Sequence, residues 1–176
     1  MNKIDKKRKF IKINIALITI SDTRDLTNDK SGNLLNNKIL KFGHHLYCRE
    51  IIKDDVELIK KKILKYSKNK SIDVVLTTGG TGLTGRDSTP EALLKISDKI
   101  IEGFGELFRY ISYNKIGTST IQSRAVAAIV KGTYVFCLPG SINACKDAWD
   151  KILKYQLDNR YRPCNFIEIM PRLKER

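Results

Sequence analysis

The 176-residue sequence is poor in cysteine, proline and tryptophan, with four, four and one respectively. Cys48, Cys137, Cys145 and Cys164 lie far apart and form no C-x-x-C pair, which excludes a zinc ribbon and a disulfide scaffold. They are expected to be buried thiols in a reducing compartment. Long apolar runs are also missing: nothing nears the roughly 18 residues of a membrane span, and the opening MNKIDKKRKF is charged where a secretory signal is apolar. These absences predict a soluble, cytoplasmic protein that meets no membrane. Acidic residues are scarce, 19 Asp and Glu against 33 Lys and Arg, for a formal charge of +14.

Such a charge ordinarily points to nucleic acid. Here the basic residues are scattered over an N-terminal cluster, a lysine face at 60–70 and the tail, with no interleaved aromatics and no helix-turn-helix or finger spacing. The 23 Lys and 23 Ile against 10 Arg reflect a compositional bias that A-rich codons produce. No specific nucleic-acid partner is expected. A small molecule bearing phosphate would still gain from the positive field.

What is present is a β-α-β-α-β order. IKINIALITI at 11–20 is too continuously apolar for a solvent-facing strand and reads as a central parallel strand covered on both faces. A helix with Leu34, Leu35, Ile39 and Phe42 on one side closes at Gly43. A strand over 46–52, a helix over about 55–67 and the strand IDVVLT follow. Beyond them come helices from Pro90 and over 103–113, the strands AVAAIV and TYVFCL joined at Lys131-Gly132, and a helix after Pro139-Gly140-Ser141 carrying Cys145 and Trp149 on its core side. The chain is long enough to bury a sizeable core without staples. One three-layer αβα sandwich with a mainly parallel central sheet accounts for residues 11–166, flanked by a basic mobile arm at 1–10 and a basic tail at 167–176.

The densest signal is TTGGTGLTGRDSTPE at 77–91, with four glycines and five threonines. Gly80, Gly82 and Gly85 match G-x-G-x-x-G, but Arg86 to Pro90 stand where a dinucleotide fingerprint would already be helical, and no Gly-Lys-Ser/Thr follows to make a Walker A loop. What remains is a loop at the carboxyl end of a parallel strand. Its glycines can present bare N–H groups to an anion, and Thr77, Thr78, Thr81 and Thr84 can add hydroxyl donors. Asp87 would repel that anion unless a cation lies between them, which suggests Mg²⁺; the bland alternative is that it caps the next helix and pairs Arg86. Ser21-Asp22 after the first strand, Asp54 after the second and Gly140-Ser141 after the last reach the same edge, so Asp54 and Asp87 could share one ion, or Asp54 could simply cap its helix. His44-His45 lacks a third ligand at useful spacing and is read as a loop pair.

TTGGTGLTGRDSTPEAL, with EGFGELFR, GTSTIQSRA and LPGS behind it, resembles the MoaB/MogA family of molybdenum cofactor biosynthesis over about residues 11–166. Gly43-His44-His45, Gly117 to Ala125 and RPCNF resemble its MoaB branch. The resemblance implies a domain that binds molybdopterin and, in active members, transfers AMP from Mg-ATP onto the terminal phosphate of the pterin; the alternative is a non-catalytic carrier or scaffold. It implies that Gly79, Gly80, Thr81 and Gly82 cradle phosphate and that Thr89-Pro90 shape the pocket floor. Ser119, Ser123, Gly140 and Ser141 would touch pterin or phosphate, and Asp54 and Asp87 would act with Mg²⁺ and ATP. It also implies a homotrimer or homohexamer. Lys53 departs from the family's usual proline, while both carboxylates are retained.

Overall fold

The computed structural model describes residues 3–175. In chain order the elements are β1 (Lys3–Ile4), β2 (Asn14–Ile20), α1 (Lys30–Phe42), β3 (His45–Ile52), α2 (Val56–Lys68), β4 (Val74–Thr78), α3 (Thr89–Leu94), β5 (Lys99–Ile100) and α4 (Glu102–Ile116). A 3-10 segment (Gly117–Gln122), β6 (Val126–Val130), β7 (Thr133–Leu138) and α5 (Ile142–Ala148) come next. α5 runs through a π turn at Trp149–Leu153 into α6 (Lys154–Gln156), and β8 (Tyr161–Arg162), α7 (Phe166–Ile169) and a 3-10 segment (Met170–Arg172) follow. Among the described residues no helix is long and apolar enough to cross a membrane.

The main sheet has the order β3-β2-β4-β7-β6-β5. β3, β2, β4 and β7 are parallel neighbours, whereas β6 runs antiparallel to β7, and β5 antiparallel to β6. The fold is therefore α/β with a mostly parallel sheet. The β6–β7 reversal follows from the two-residue turn at Lys131 and Gly132, both at positive φ, which leaves no room for a crossover helix.

Period-two alternation sends each central strand into two cores. Ile15 and Leu17 of β2 and Tyr134 and Phe136 of β7 meet Leu35 and Ile39 of α1, Phe104 and Phe108 of α4, and Trp149 on one face. Ala16, Ile18, Val75, Val135 and Cys137 meet Ile59 and Ile63 of α2 and Leu93 of α3 on the other. Both faces are covered, which is why these strands read as continuous apolar runs; each fully buried Leu or Ile contributes about 1.5–3 kcal/mol. Cys137 and Cys145 are buried thiols, pushed up by burial to about 12 and about 11, but Cys48 is half-buried and Cys164 exposed.

Of the segment read as a mobile arm, residues 1 and 2 lie outside the described residues. The rest packs on the domain. β1 pairs antiparallel with β8, Arg8 pairs with Glu168, and the Phe10 ring lies 5.0 Å from that of His44. The tail segment also turns inward, with Ile167 buried and Met170 and Leu173 against the core. Acidic partners distant in sequence, Glu168 and Asp5, offset part of the basic charge that made both ends look solvated.

Candidate functional site

The chain leaves β2 toward β3 on one side through α1, then returns past β2 to β4 on the other through α2, so the loops after β2 and β4 diverge and open a crevice at the carboxyl edge. Gly79 sits where the ends of β2 and β7 close on β4. Its φ is +107°, and a Cβ there would lie 2.2 Å from Ile20 O, so no other residue fits. Gly80 follows at φ +63°, where a Cβ would meet Thr89 Oγ1 at 2.3 Å and Asp54 Oδ2 at 2.6 Å. The Gly79 N–H donates to Leu138 O at 3.0 Å, while those of Gly80 and Thr81 donate to no backbone carbonyl among the described residues. Two adjacent N–H groups of this cleft-lining loop are thus without a backbone acceptor among the described residues, next to glycines at positive φ.

The threonines do a different job from the one their number suggests. Thr78 Oγ1 donates to Pro139 O at 3.0 Å, Thr84 Oγ1 to Asp87 Oδ2 at 2.5 Å, and Thr89 Oγ1 to Gly79 O at 3.0 Å. Thr78 and Thr89 are buried, where a hydroxyl left without a partner costs about 1–3 kcal/mol, and the carbonyls of Pro139 and Gly79 satisfy them. They fasten the glycine loop rather than offer hydroxyls to a ligand. Thr81, by contrast, lines the cleft.

Asp87 caps no helix. Its Oδ2 accepts from the Thr84 N–H at 2.9 Å as well as from the hydroxyl. The Thr84 hydroxyl above all holds its carboxyl below the ordinary carboxylate value, with the Thr84 and Gly82 N–H groups and Arg124 adding to the effect against the cost of burial. Asp54 does not cap α2 either; the neighbouring Asp55 does, accepting from Leu58 N–H at 2.8 Å. Instead Asp54 Oδ1 accepts from the N–H and hydroxyl of Ser88, at the start of α3. Burial raises the Asp54 carboxyl, the nearby charges of Asp87 and Asp22 raise it further, and the Ser88 bonds oppose them. Asp54 and Asp87 both engage one oxygen, Oδ1 and Oδ2 respectively, in these hydrogen bonds and repel each other. That donor set fits a Mg²⁺ ion, which takes one or two carboxylates and completes its shell with substrate phosphates and water.

The cleft holds about 520 Å³ and is lined by Ser21, Arg24, Gly80, Asp87, Ser123 and Ser141 among others. Gly79, Thr81, Gly82 and Gly140 complete the wall on the expected side. Ser21 Oγ accepts from the Thr23 and Arg24 N–H groups at 3.3 Å, and Asp22 Oδ1 from the Asp54 N–H at 3.2 Å, so both shape their loop. Ser141 caps α5 through Ala144 N–H at 3.3 Å. Thr89 is buried beneath the glycines, Pro90 faces a neighbouring groove, and Ser119 is exposed on the 3-10 segment, away from this cleft.

Two arginines escape sequence reading. Arg124 Nε donates to Gly82 O at 2.7 Å and Nη2 to Asp87 O at 2.8 Å, while its Nη1 pairs with Glu91. It straps the 82–91 loop across 37 residues of chain. Arg24 reaches Ser31 Oγ at 2.5 Å and Gly140 O at 3.2 Å. Neither has a spacing signal, because the carbonyls they reach, Gly82 O, Asp87 O and Gly140 O, lie far off in the chain and any sequence would supply them.

Residues 16–159 match the family described as a probable molybdopterin binding domain. Molybdenum cofactor biosynthesis protein B of Escherichia coli K12 is 46% identical over 158 residues, covering 90% of this chain and 93% of that relative. The chain belongs to the MoaB/MogA family. A crystal structure of a molybdenum cofactor biosynthesis protein B superposes with a TM-score of 0.86 at 39% identity, over 96% of this chain and all of that one. Tungsten cofactor synthesizing protein MoaB from Pyrococcus furiosus does so with 0.76 at 34%, over 93% of this chain and 98% of that one. These superpositions take in the α/β fold with its mostly parallel sheet. The Ser21-Asp22, Asp54, glycine-loop and Gly140 segments all lie inside the matched family span.

Proposed function

We propose that this MoaB/MogA chain acts in molybdenum cofactor biosynthesis by binding molybdopterin in the 520 Å³ cleft and adenylylating it with Mg-ATP. The observation that carries the catalytic part is the pair of aspartates beside the glycine loop, both retained, each held by a seryl or threonyl partner and each engaged through only one of its oxygens. The terminal phosphate of the pterin settles on the Gly80 and Thr81 N–H groups. One of its oxygens then attacks the α-phosphorus of ATP, the bond to the β-phosphate oxygen breaks, and pyrophosphate leaves with that electron pair. Asp54 and Asp87 would hold Mg²⁺, which neutralises charge on the reacting phosphates. Thr84, Ser88 and Arg124 keep the carboxylates in place so that little reorganisation accompanies the step.

The protein is proposed to work as a homotrimer or homohexamer. Leu107, Tyr110, Tyr113, Ile116 and Ile121 are exposed along α4 and the 3-10 segment, Ile121 to 81%, and such a grouping of large apolar side chains suits contact with a further copy. Anaerobic incubation with molybdopterin and Mg-ATP tests the function: one pyrophosphate per pterin consumed supports the enzyme. Tight pterin binding without pyrophosphate supports the non-catalytic carrier instead.

A further inference from the structure

The buried cluster behind the cleft carries an unbalanced positive charge. Asp29 is fully buried at the start of α1 and lies between two guanidiniums, Arg49 Nη2 at 2.8 Å and Arg24 Nη1 at 3.6 Å. Thr19 Oγ1 and the Gly32 N–H also donate to it, at 2.6 and 2.9 Å. Arg49 is directed inward: its side chain is only 14% exposed and bonds Asn33 Oδ1 at 2.7 Å as well as Asp29. The two guanidiniums thus share one buried carboxylate, which offsets only one of their two charges. Arg24 is 35% exposed and lines the cleft beside Gly80, Thr81 and Ser141. Its guanidinium is nevertheless fixed, since Ser31 Oγ and Gly140 O accept from Nη1 and Nη2. Of the five N–H donors an arginine has, these contacts use two. A fixed, partly desolvated guanidinium with donors to spare suits a phosphate dianion, which it can grip in a forked geometry unavailable to lysine. The cleft is thereby polarised, with a cation at Arg24 and a carboxylate at Asp87.

We propose that Arg24 is the residue by which the cleft selects a phosphorylated pterin over its unphosphorylated counterpart, its guanidinium pairing with the terminal phosphate between Gly80 and Gly140. This rests on the proposed molybdopterin reading and assigns the recognition of the phosphate end, which the glycine loop alone would leave to neutral N–H groups. Asp29 and Ser31 serve as positioning residues for Arg24.

The test is a cycle in which the phosphate is removed from the ligand and the guanidinium from the protein. Affinities of molybdopterin and of phosphatase-treated molybdopterin are measured by pterin fluorescence, in the absence of ATP, for wild type, Arg24→Gln and Arg24→Lys, with melting curves for all three. Wild type should prefer the phosphorylated ligand by about 10- to 100-fold, the range of a charge-assisted hydrogen-bonded contact. Arg24→Gln should lose most of that preference while binding the phosphatase-treated ligand within about threefold of wild type, a pattern that general loosening of the loop would not give. Arg24→Lys, which keeps the charge without the fork, should fall between, and it carries the test if the glutamine variant fails to fold. An undiminished preference in the folded variants overturns the role of Arg24 while leaving the molybdopterin reading intact. Wild type that binds neither ligand overturns the reading itself, and the inference with it.

Discussion

Asp54 Oδ1 accepts two hydrogen bonds from Ser88, 3.2 Å from its N–H and 2.6 Å from its hydroxyl, and so joins the loop after β3 to the start of α3 across 34 residues of chain. The contact sets Asp54 near Asp87 and Asp22, whose charges, after burial, hold its carboxyl above the ordinary value. A carboxyl raised in the folded state contributes stability below its unfolded value and loses it as pH rises through the raised value, so at neutral pH the ionised Asp54 costs stability unless a cation lies beside it. Asp54→Asn, which keeps an acceptor for Ser88, should therefore melt in EDTA at the wild-type temperature or about 1–2 °C above it, given how a domain of this size converts free energy to melting temperature. AMP transfer by the same variant should fall by a factor on the order of 10² or more. A clear drop in melting temperature would show that the carboxylate is structural.

Asp87→Asn should divide the two ligands. Pterin affinity should stay unchanged or tighten slightly as a negative charge leaves the cleft, while pyrophosphate release falls on the order of 10²-fold or more. Fluorescence titration beside a pyrophosphate assay checks it, and parallel loss of both would contradict the assignment of Asp87 to the cation.

Arg124 holds the carbonyls of Gly82 and of Asp87 itself and should act on turnover rather than affinity. Arg124→Ala should lower kcat by about 10- to 100-fold with KM for the pterin little changed, since an error of about 1 Å in a reacting group costs that much. Arg124→Lys should not restore it, because one ammonium cannot reach Gly82 O and Asp87 O together. Steady-state kinetics on both variants decides the matter.

Gly80→Ala places a methyl group against Thr89 Oγ1 and Asp54 Oδ2 at a positive φ. A loss of about 1–3 kcal/mol in thermal or urea unfolding is expected, together with weakened pterin binding. Wild-type behaviour would mean that the loop is not locked in this conformation.

His44 provides a pH dependence remote from the site. It is 2% exposed, ringed by Phe10 and Phe42, and burial drives it down to about 4, with Asp158 and the Leu157 backbone opposing. A histidine depressed in the folded state contributes stability above its unfolded value and loses it as pH falls from there toward the folded value. Stability should decline between about pH 6.5 and pH 4 by up to about 3 kcal/mol from this group. His44→Asn, which keeps an acceptor for the Ile13 N–H, should flatten that limb in pH-dependent urea unfolding.

Periodicity made the helices and parallel strands legible to within about three residues, because the central strands are covered on both faces and read as apolar runs. β5 is only two residues long, Lys99–Ile100, and too short to have a period. The docking of residues 3–10 was illegible for a related reason: it depends on Phe10 meeting His44 and Arg8 meeting Glu168, pairings of distant residues in a segment that by itself reads as charged coil. At the site, the glycine loop announced itself because positive φ demands glycine. The division of labour inside it did not, since whether a threonine hydroxyl faces a ligand or a carbonyl, as Thr78 faces Pro139 O, is set by the neighbouring strand. Arg24 and Arg124 stayed hidden among the other basic residues because only the folded chain brings them to Gly140 O and Gly82 O.

The proposed reaction joins pterin phosphate to AMP in this cleft, beside Asp54 and Asp87. Pyrophosphate release by the wild-type protein, incubated anaerobically with molybdopterin and ATP and titrated with Mg²⁺, tests it most directly. The expected result is release that requires both the pterin and Mg²⁺, stops at one equivalent per pterin and is abolished by EDTA. Release of none from a preparation that binds the pterin tightly would contradict it.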